Sequence, residues 1–202
     1  MLNANMAVDM PIQLTKPALL LIDIQAGLDH PTHWGTQRST PTFETNIPRL
    51  LAAFRERQYP VLHVAHYSTS PQSPLHPTNN PTGVEFKDIA RPANSEPIFT
   101  KNVNSAFIGT ELEAAIRTLG VKELFISGLT TDHCVSTSTR MAANLGVVGD
   151  EGKIYLIGDA TATWSKGGFD AETVHAVNLA SLNGEFADVV KTDSVLERLQ
   201  KA

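Results

Sequence analysis

The chain has 202 residues, of which 42% are hydrophobic and 18% charged, and its formal net charge is −5 at pH 7. These proportions are typical of one globular domain, and the absence of a dense Lys/Arg cluster argues against nucleic acid or an anionic membrane as a partner. Residues 1–16 lack the basic and apolar regions of a signal peptide, and the longest apolar run, residues 18–22, is too short to cross a bilayer.

A single cysteine cannot form an internal disulfide, which fits a reducing compartment. We therefore expect a cytoplasmic protein that forms one domain over residues 1–202, with residues 1–16 as an N-terminal arm.

Apolar runs alternate with helical patterns along the chain. We predict strands at residues 18–22, 61–64, 98–100, 124–127, 154–157 and 188–190, and helices at residues 43–58, 110–119, 135–145, 171–186 and 194–199. Continuous apolar runs are typical of parallel strands that are covered on both faces. The alternation predicts an α/β fold, a doubly wound three-layer sandwich with a six-stranded parallel sheet.

Residues 67–97 interrupt this alternation, because they are rich in proline and show little periodicity. An irregular segment of this length inside a compact domain is usually functional or disordered. We predict a surface loop that helps to cover the site.

Polar residues follow the predicted strands at the edge where doubly wound sheets bind ligands. Asp23 and Gln25 follow the first strand on the same side, Lys101 ends the third, and Cys134 follows the fourth. Each of the three reactive residues has a structural explanation by itself. Asp23 could be a helix or turn cap, Lys101 a solvated loop charge, and Cys134 a packed thiol. A carboxylate directly after four apolar residues is nevertheless costly to bury unless it is paired or used. We predict that an acid, a cation and a thiol converge here.

Cys134 lies where an apolar strand leads through a short polar turn to a predicted helix start. Unpaired amides and the helix dipole at that point favour the thiolate, the form that attacks carbonyls. His133 is a poor base for it, because adjacent helical residues do not face each other. The base must therefore come from elsewhere.

Several motifs together resemble the isochorismatase-like cysteine hydrolase superfamily. They are LIDIQ at residues 21–25, Lys101 with NSAF at residues 104–107, GLTTDHCV at residues 128–135, IGDA at residues 157–160, and the helix that carries His175. The resemblance covers nearly the whole chain from Pro17 onward. It implies a six-stranded parallel sheet, a homo-oligomer (a dimer or tetramer), and a catalytic triad of Asp23, Lys101 and Cys134.

The resemblance also implies roles for these residues. Asp23 would take the thiol proton and later pass it to the leaving nitrogen, and Lys101 would hold Asp23 ionised and favour the thiolate. The amides of Thr130 and Cys134 would hold the oxyanion, with a cis peptide bond between Leu129 and Thr130. Water would then hydrolyse the thioester.

Residues near these motifs are candidates for contact with a small-molecule substrate. We expect such contacts from Gln25, Trp34, His66, Phe107 and Thr131. Trp34 could equally be an ordinary packed aromatic residue in its loop.

Nicotinamidases of this superfamily carry an Asp-x-His-x-x-His metal motif after the second strand. This chain has His63 and His66 there without a carboxylate, and residues three apart on a strand point to opposite faces. A Gly-x-Gly-x-x-Gly fingerprint after a strand is also absent. We predict no metal and no cofactor, and we expect His63 to be a packed core histidine.

The sequence favours a metal-independent hydrolase that cleaves a C–N bond of a small amide, ureido or lactam-like substrate through a thioester on Cys134. Three alternatives stay open. The first is isochorismatase chemistry on a vinyl ether, which needs the acid but no thiol, and the second is a catalytically silent binding protein on the same fold. The third is a redox-sensing thiol, for which an internal resolving cysteine is absent.

Overall fold

The computed structural model describes residues 14–201, so most of the predicted N-terminal arm lies outside the described residues. Strands and helices alternate along this part of the chain. The strands are β1 (Pro17–Ile22), β2 (Val61–His66), β3 (Ile98–Lys101), β4 (Glu123–Leu129), β5 (Lys153–Ala162) and β6 (Asp188–Val190). The helices are α1 (Phe43–Glu56), α2 (Leu112–Leu119), α3 (Ser136–Asn144), α4 (Ala171–Leu182) and α5 (Thr192–Lys201).

All six strands are parallel and pair in the order β3-β2-β1-β4-β5-β6. The predicted doubly wound sheet is therefore confirmed. The strand order reverses between β1 and β4, so the connections from these two neighbours lead away in opposite directions. That divergence leaves a crevice outside their carboxyl ends, where ligands bind in folds of this kind.

Helices cover both faces of the sheet. Leu19 and Leu21 of β1 pack with residues of α1 and α5 in one core cluster. Leu20 and Ile22 point the other way and pack with residues of α2, α3 and α4. Every residue of β1 is buried for this reason, which explains its continuous apolar run. Within residues 14–201, each helix is too short or too polar to cross a membrane.

The carboxyl ends of β1 and β4 approach each other unusually closely. Gly128 pairs with Ile22, and a Cβ atom at Gly128 would lie 2.1 Å from the Ile22 carbonyl oxygen. Gly128 also has φ +133°, which side-chain-bearing residues rarely adopt. The residue that follows β1, Asp23, has φ +53°, a left-handed conformation that aspartate tolerates better than most residues. This backbone geometry fixes the point at which the Asp23 side chain leaves the main chain.

The proline-rich loop, residues 67–97, is held against the segment that follows Asp23. The amides of Ala26 and Gly27 donate to the carbonyls of Glu85 (2.9 Å) and Gly83 (2.7 Å), and the amide of Lys87 donates to Ile24 (3.0 Å). These bonds place the loop beside the carboxyl end of β1.

Candidate active site

Asp23, Lys101 and Cys134 lie together at the carboxyl edge of the sheet, where the sequence predicted them. The Lys101 ammonium donates to Asp23 Oδ2 at 2.6 Å and to Cys134 Sγ at 3.3 Å. The side chains of Lys101 and Asp23 are only 0% and 2% exposed. Because β2 lies between β1 and β3, the long lysine stem has to pass over the end of β2 to reach the acid.

The two carboxylate oxygens of Asp23 have different surroundings. Oδ2 accepts the hydrogen bond from Lys101, whereas the buried Oδ1 has no hydrogen-bond partner among residues 14–201. A buried carboxylate oxygen without a partner is costly. A carboxylate oxygen of Asp23 and the sulfur of Cys134 lie within 4.8 Å of each other. Asp23 therefore has an acceptor available beside the thiol.

The thiol itself is not activated by its position on the helix. Burial and the Asp23 carboxylate raise the pKa of Cys134, and the attraction of Lys101 lowers it by less. Cys134 lies in a wide helical turn, Thr131–Val135, in which the amide of Val135 donates to the carbonyl of Thr130, and α3 begins only after this turn. The prediction of a thiolate favoured by a helix start is wrong, because burial and the adjacent acid outweigh it.

The backbone before Cys134 presents a free donor. The peptide bond between Leu129 and Thr130 is cis, as the resemblance implied. The Thr130 amide, which lies between β4 and the turn, donates no hydrogen bond to a protein acceptor among residues 14–201. This amide is therefore available to a ligand.

Two of the candidate substrate contacts are engaged within the protein. The Gln25 amide group donates to the carbonyl of Val84 at 2.8 Å and to that of His66 at 3.3 Å, and its oxygen accepts from the His66 amide at 2.8 Å. The Thr131 hydroxyl pairs with His175 Nδ1 at 2.8 Å. Both residues are fully buried. Gln25 therefore links the ends of β1 and β2 to the loop, and Thr131 links the nucleophile turn to α4.

Two further candidates are aromatic. Trp34 donates from its indole nitrogen to the Gly27 carbonyl at 2.8 Å and packs against a core cluster. Phe107 is buried in the cluster against which Cys134 packs. These contacts are those of packed residues, and a substrate-binding role for either remains a prediction.

The fifth candidate, His66, contacts the site directly. Its Nδ1 lies 3.0 Å from the Lys101 ammonium. Burial and the neighbouring Lys101 lower the pKa of His66, and Asp23 and the Val103 backbone oppose this by less. The imidazole is therefore neutral at neutral pH. A contact with Lys101 was not predicted, although the pairing of residues 66 and 101 in β2 and β3 brings them together.

Asp132 and His133, which precede Cys134 in the sequence, have their side-chain partners elsewhere. The Asp132 carboxylate accepts hydrogen bonds from Thr163 and Lys166. The side chain of His133 is 55% exposed, and its Nε2 lies 3.4 Å from Asp132. No hydrogen bond joins His133 to Cys134 among the described residues, so the run Asp-His-Cys does not form a triad.

Asp23, His66 and Cys134 are also close enough in principle to bind a metal ion, since one ligand atom from each lies within 4.8 Å of the others. The Lys101 ammonium donates to all three of them, so a cation already lies among these atoms. A metal ion would have to displace it. His63 lies apart from this group: it is fully buried and bonds to Glu96 at 2.8 Å, which confirms the predicted core histidine.

Comparisons with known proteins agree on one family. The model of the isochorismatase domain matches residues 17–194. An uncharacterized isochorismatase family protein of Bacillus subtilis, YrdC, is 40% identical over 90% of this chain and 95% of its own. The crystal structure of a putative hydrolase of that family from Chromobacterium violaceum has a TM-score of 0.85 and 37% identity, covering 96% of this chain and all of its own. N-carbamoylsarcosine amidase from Arthrobacter is 26% identical over 91% of this chain and 71% of its own.

Proposed function

The chain belongs to the isochorismatase family and is a hydrolase of that family, and from its site we propose that it cleaves the C–N bond of a small amide or ureido substrate through a thioester on Cys134. One observation carries the proposal: a single ammonium, that of Lys101, bonds to both Asp23 and Cys134 while Asp23 Oδ1 stays unpartnered. This arrangement offers a nucleophile, a proton acceptor and a cation between them.

In the first half of the reaction, Cys134 Sγ attacks the substrate carbonyl carbon while its proton moves to Asp23. The two events belong together, because the raised pKa of Cys134 keeps the thiol protonated until a base takes the proton. The carbonyl π electrons become an oxyanion, which accepts hydrogen bonds from the amides of Thr130 and Cys134. As the proton moves to Asp23, negative charge passes from the Asp23 carboxylate to the Cys134 sulfur. The Lys101 ammonium bonds to both groups and stabilises this charge.

In the second half, the tetrahedral intermediate collapses and the C–N bond breaks. Asp23 gives its proton to the leaving nitrogen, and a thioester remains on Cys134. Water then attacks the thioester carbon and gives a proton to Asp23. The C–S bond breaks, the acid product leaves, and the proton returns to the sulfur.

The site favours this chemistry over the alternatives. Hydrolysis of a vinyl ether needs an acid but no thiol, whereas here the thiol shares its cation with the acid. A silent binding protein would have no use for a buried carboxylate oxygen without a partner. The relative named as an N-carbamoylsarcosine amidase acts on a ureido C–N bond, which supports a substrate of that class.

The test is a panel of small amides and ureides assayed for ammonia or amine release, with the intact protein followed by mass spectrometry during turnover. We expect release from at least one substrate and an acyl adduct on Cys134. The matched control is Cys134→Ala, which should show neither. Hydrolysis that persists in this variant would exclude the thioester and favour chemistry by Asp23 alone.

A further inference from the structure

The Lys101 ammonium has three protons and three acceptors. Two of the acceptors, Asp23 Oδ2 and Cys134 Sγ, belong to the proposed reaction, and the third is His66 Nδ1 at 3.0 Å. An ammonium can only donate, so three acceptors saturate it. The direction of each N–H bond is therefore fixed by the other two.

This contact also fixes the protonation of His66. Because Lys101 has no lone pair to offer, the Nδ1 of His66 must be the unprotonated nitrogen and Nε2 must carry the hydrogen. The groups that face the imidazole are Lys101, Asp23 and Cys134.

The backbone of His66 is held in place by the side chain of Gln25. Its amide and carbonyl both bond to the buried side chain of Gln25, at 2.8 and 3.3 Å, and its residue pairs with Lys101 across β2 and β3. The Gln25 amide group bonds in turn to the loop at Val84. A continuous set of contacts therefore runs from the loop to the ammonium.

We infer that His66 is a positioning residue for Lys101 rather than a substrate contact: it accepts the third ammonium proton and so keeps that proton away from Asp23 Oδ1. Without His66, the freed N–H could turn to the unpartnered Oδ1 and bind the carboxylate through both oxygens. The oxygen that receives the thiol proton would then be blocked. This inference rests on the proposed function, in which Asp23 is that proton acceptor.

Two variants separate the hydrogen bond from the shape of the side chain. His66→Leu removes the acceptor, whereas His66→Asn places an oxygen close to the position of Nδ1. We expect His66→Leu to lower kcat about tenfold to a hundredfold, with KM within about twofold, because it removes a charge-assisted hydrogen bond that acts on the proton transfer. His66→Asn should recover most of kcat. Equal loss in both variants, or a raised KM at unchanged kcat, would overturn the inference.

A second measurement does not depend on any substrate. Histidine side-chain ¹⁵N NMR at neutral pH should show an unprotonated Nδ1 and a protonated Nε2 for His66, assigned by the loss of these signals in His66→Asn. A protonated Nδ1 would overturn the inference even if the enzyme is active. Failure of the wild-type protein on every amide, with the expected tautomer present, would instead count against the proposed function.

Discussion

Two buried ion pairs lie at opposite edges of the same sheet, and they differ in how completely their carboxylates are bonded. At the amino edge, Glu123 at the start of β4 pairs with Arg198, and the two side chains are 8% and 4% exposed. One Glu123 oxygen accepts from Arg198 and the other from the Thr15 amide at 3.1 Å. At the carboxyl edge, Asp23 pairs with Lys101 but keeps Oδ1 unpartnered.

This difference separates a structural pair from a reactive one. Taking two charges out of water is expensive, and hydrogen bonds to the remaining lone pairs repay part of that cost. Glu123 has such bonds on both oxygens, whereas Asp23 leaves one acceptor open beside the only thiol of the chain. We conclude that the unmet bonding capacity of Asp23, rather than burial or pairing alone, marks the candidate site.

The strongest way to break this comparison is to remove the cation from each pair. Lys101→Met should lower kcat about a thousandfold, because the acid and the sulfur lose their shared donor, and should raise the pKa of Cys134 further. Arg198→Met should lower the melting temperature and leave kcat within about twofold, because the contacts of Arg198 with Glu123 and the Tyr155 ring lie away from the candidate site. Steady-state kinetics and thermal melts measure both effects.

Arg198→Lys, which keeps the charge, is the control if Arg198→Met is too unstable to assay. A large loss of kcat in a folded Arg198 variant would show that the two pairs are not functionally separate.

A third acid network allows the pH dependence of stability to be separated from the site. Burial by itself raises the pKa of Glu96. Hydrogen bonds from Arg55, the Ala93 amide and His63 outweigh this effect and lower the pKa to about 2. A lowered folded-state pKa contributes stability above the ordinary value of 4.5, and this stability is lost as the pH falls from 4.5 towards about 2. Glu96→Gln should therefore flatten the fall of the melting temperature over this range. If the melting temperature of Glu96→Gln falls as steeply as that of the wild type, groups other than Glu96 cause the loss of stability at acid pH.

The smallest effect is expected at His133. Its imidazole is largely exposed and lies near Asp132 rather than the sulfur, so His133→Asn should leave kcat within about threefold of the wild type. The pH dependence of kcat should also be unchanged. A loss of kcat comparable with that of Lys101→Met would indicate that Asp132, His133 and Cys134 act together as the reactive group.

The fold and the three central residues could be predicted from the sequence, because both depend on local patterns. Unbroken apolar runs mark strands covered on both faces, and parallel strands bring their carboxyl ends to one edge. Asp23 and Cys134 follow such runs, whereas Lys101 ends the edge strand β3, whose other residues are exposed or half-buried; the structure brings all three together. The strand order of a doubly wound sheet is enough to bring the ends of these three strands close together.

Side-chain partners could not be predicted in the same way. Gln25 bonds to Val84 in the loop, a segment without periodicity, so no pattern indicates that its amide group is occupied. The pKa of Cys134 depends on its depth and on its distance from Asp23, which are properties of the folded molecule. The contact between His66 and Lys101 arises because the two residues pair in β2 and β3 and the lysine passes over the end of β2.

The most direct test of the account is a pH titration of the thiolate ultraviolet absorbance of Cys134 in the wild type and in Asp23→Asn, each corrected with its Cys134→Ala counterpart. Because the Asp23 carboxylate raises the pKa of Cys134, the wild-type thiol should stay protonated at neutral pH, and its pKa should fall in Asp23→Asn although hydrolysis is lost. Glu123→Gln, at the other edge of the sheet, should titrate like the wild type. A wild-type thiolate at neutral pH, or a pKa that does not fall in Asp23→Asn, would contradict the assignment of Asp23 as the group that takes the thiol proton.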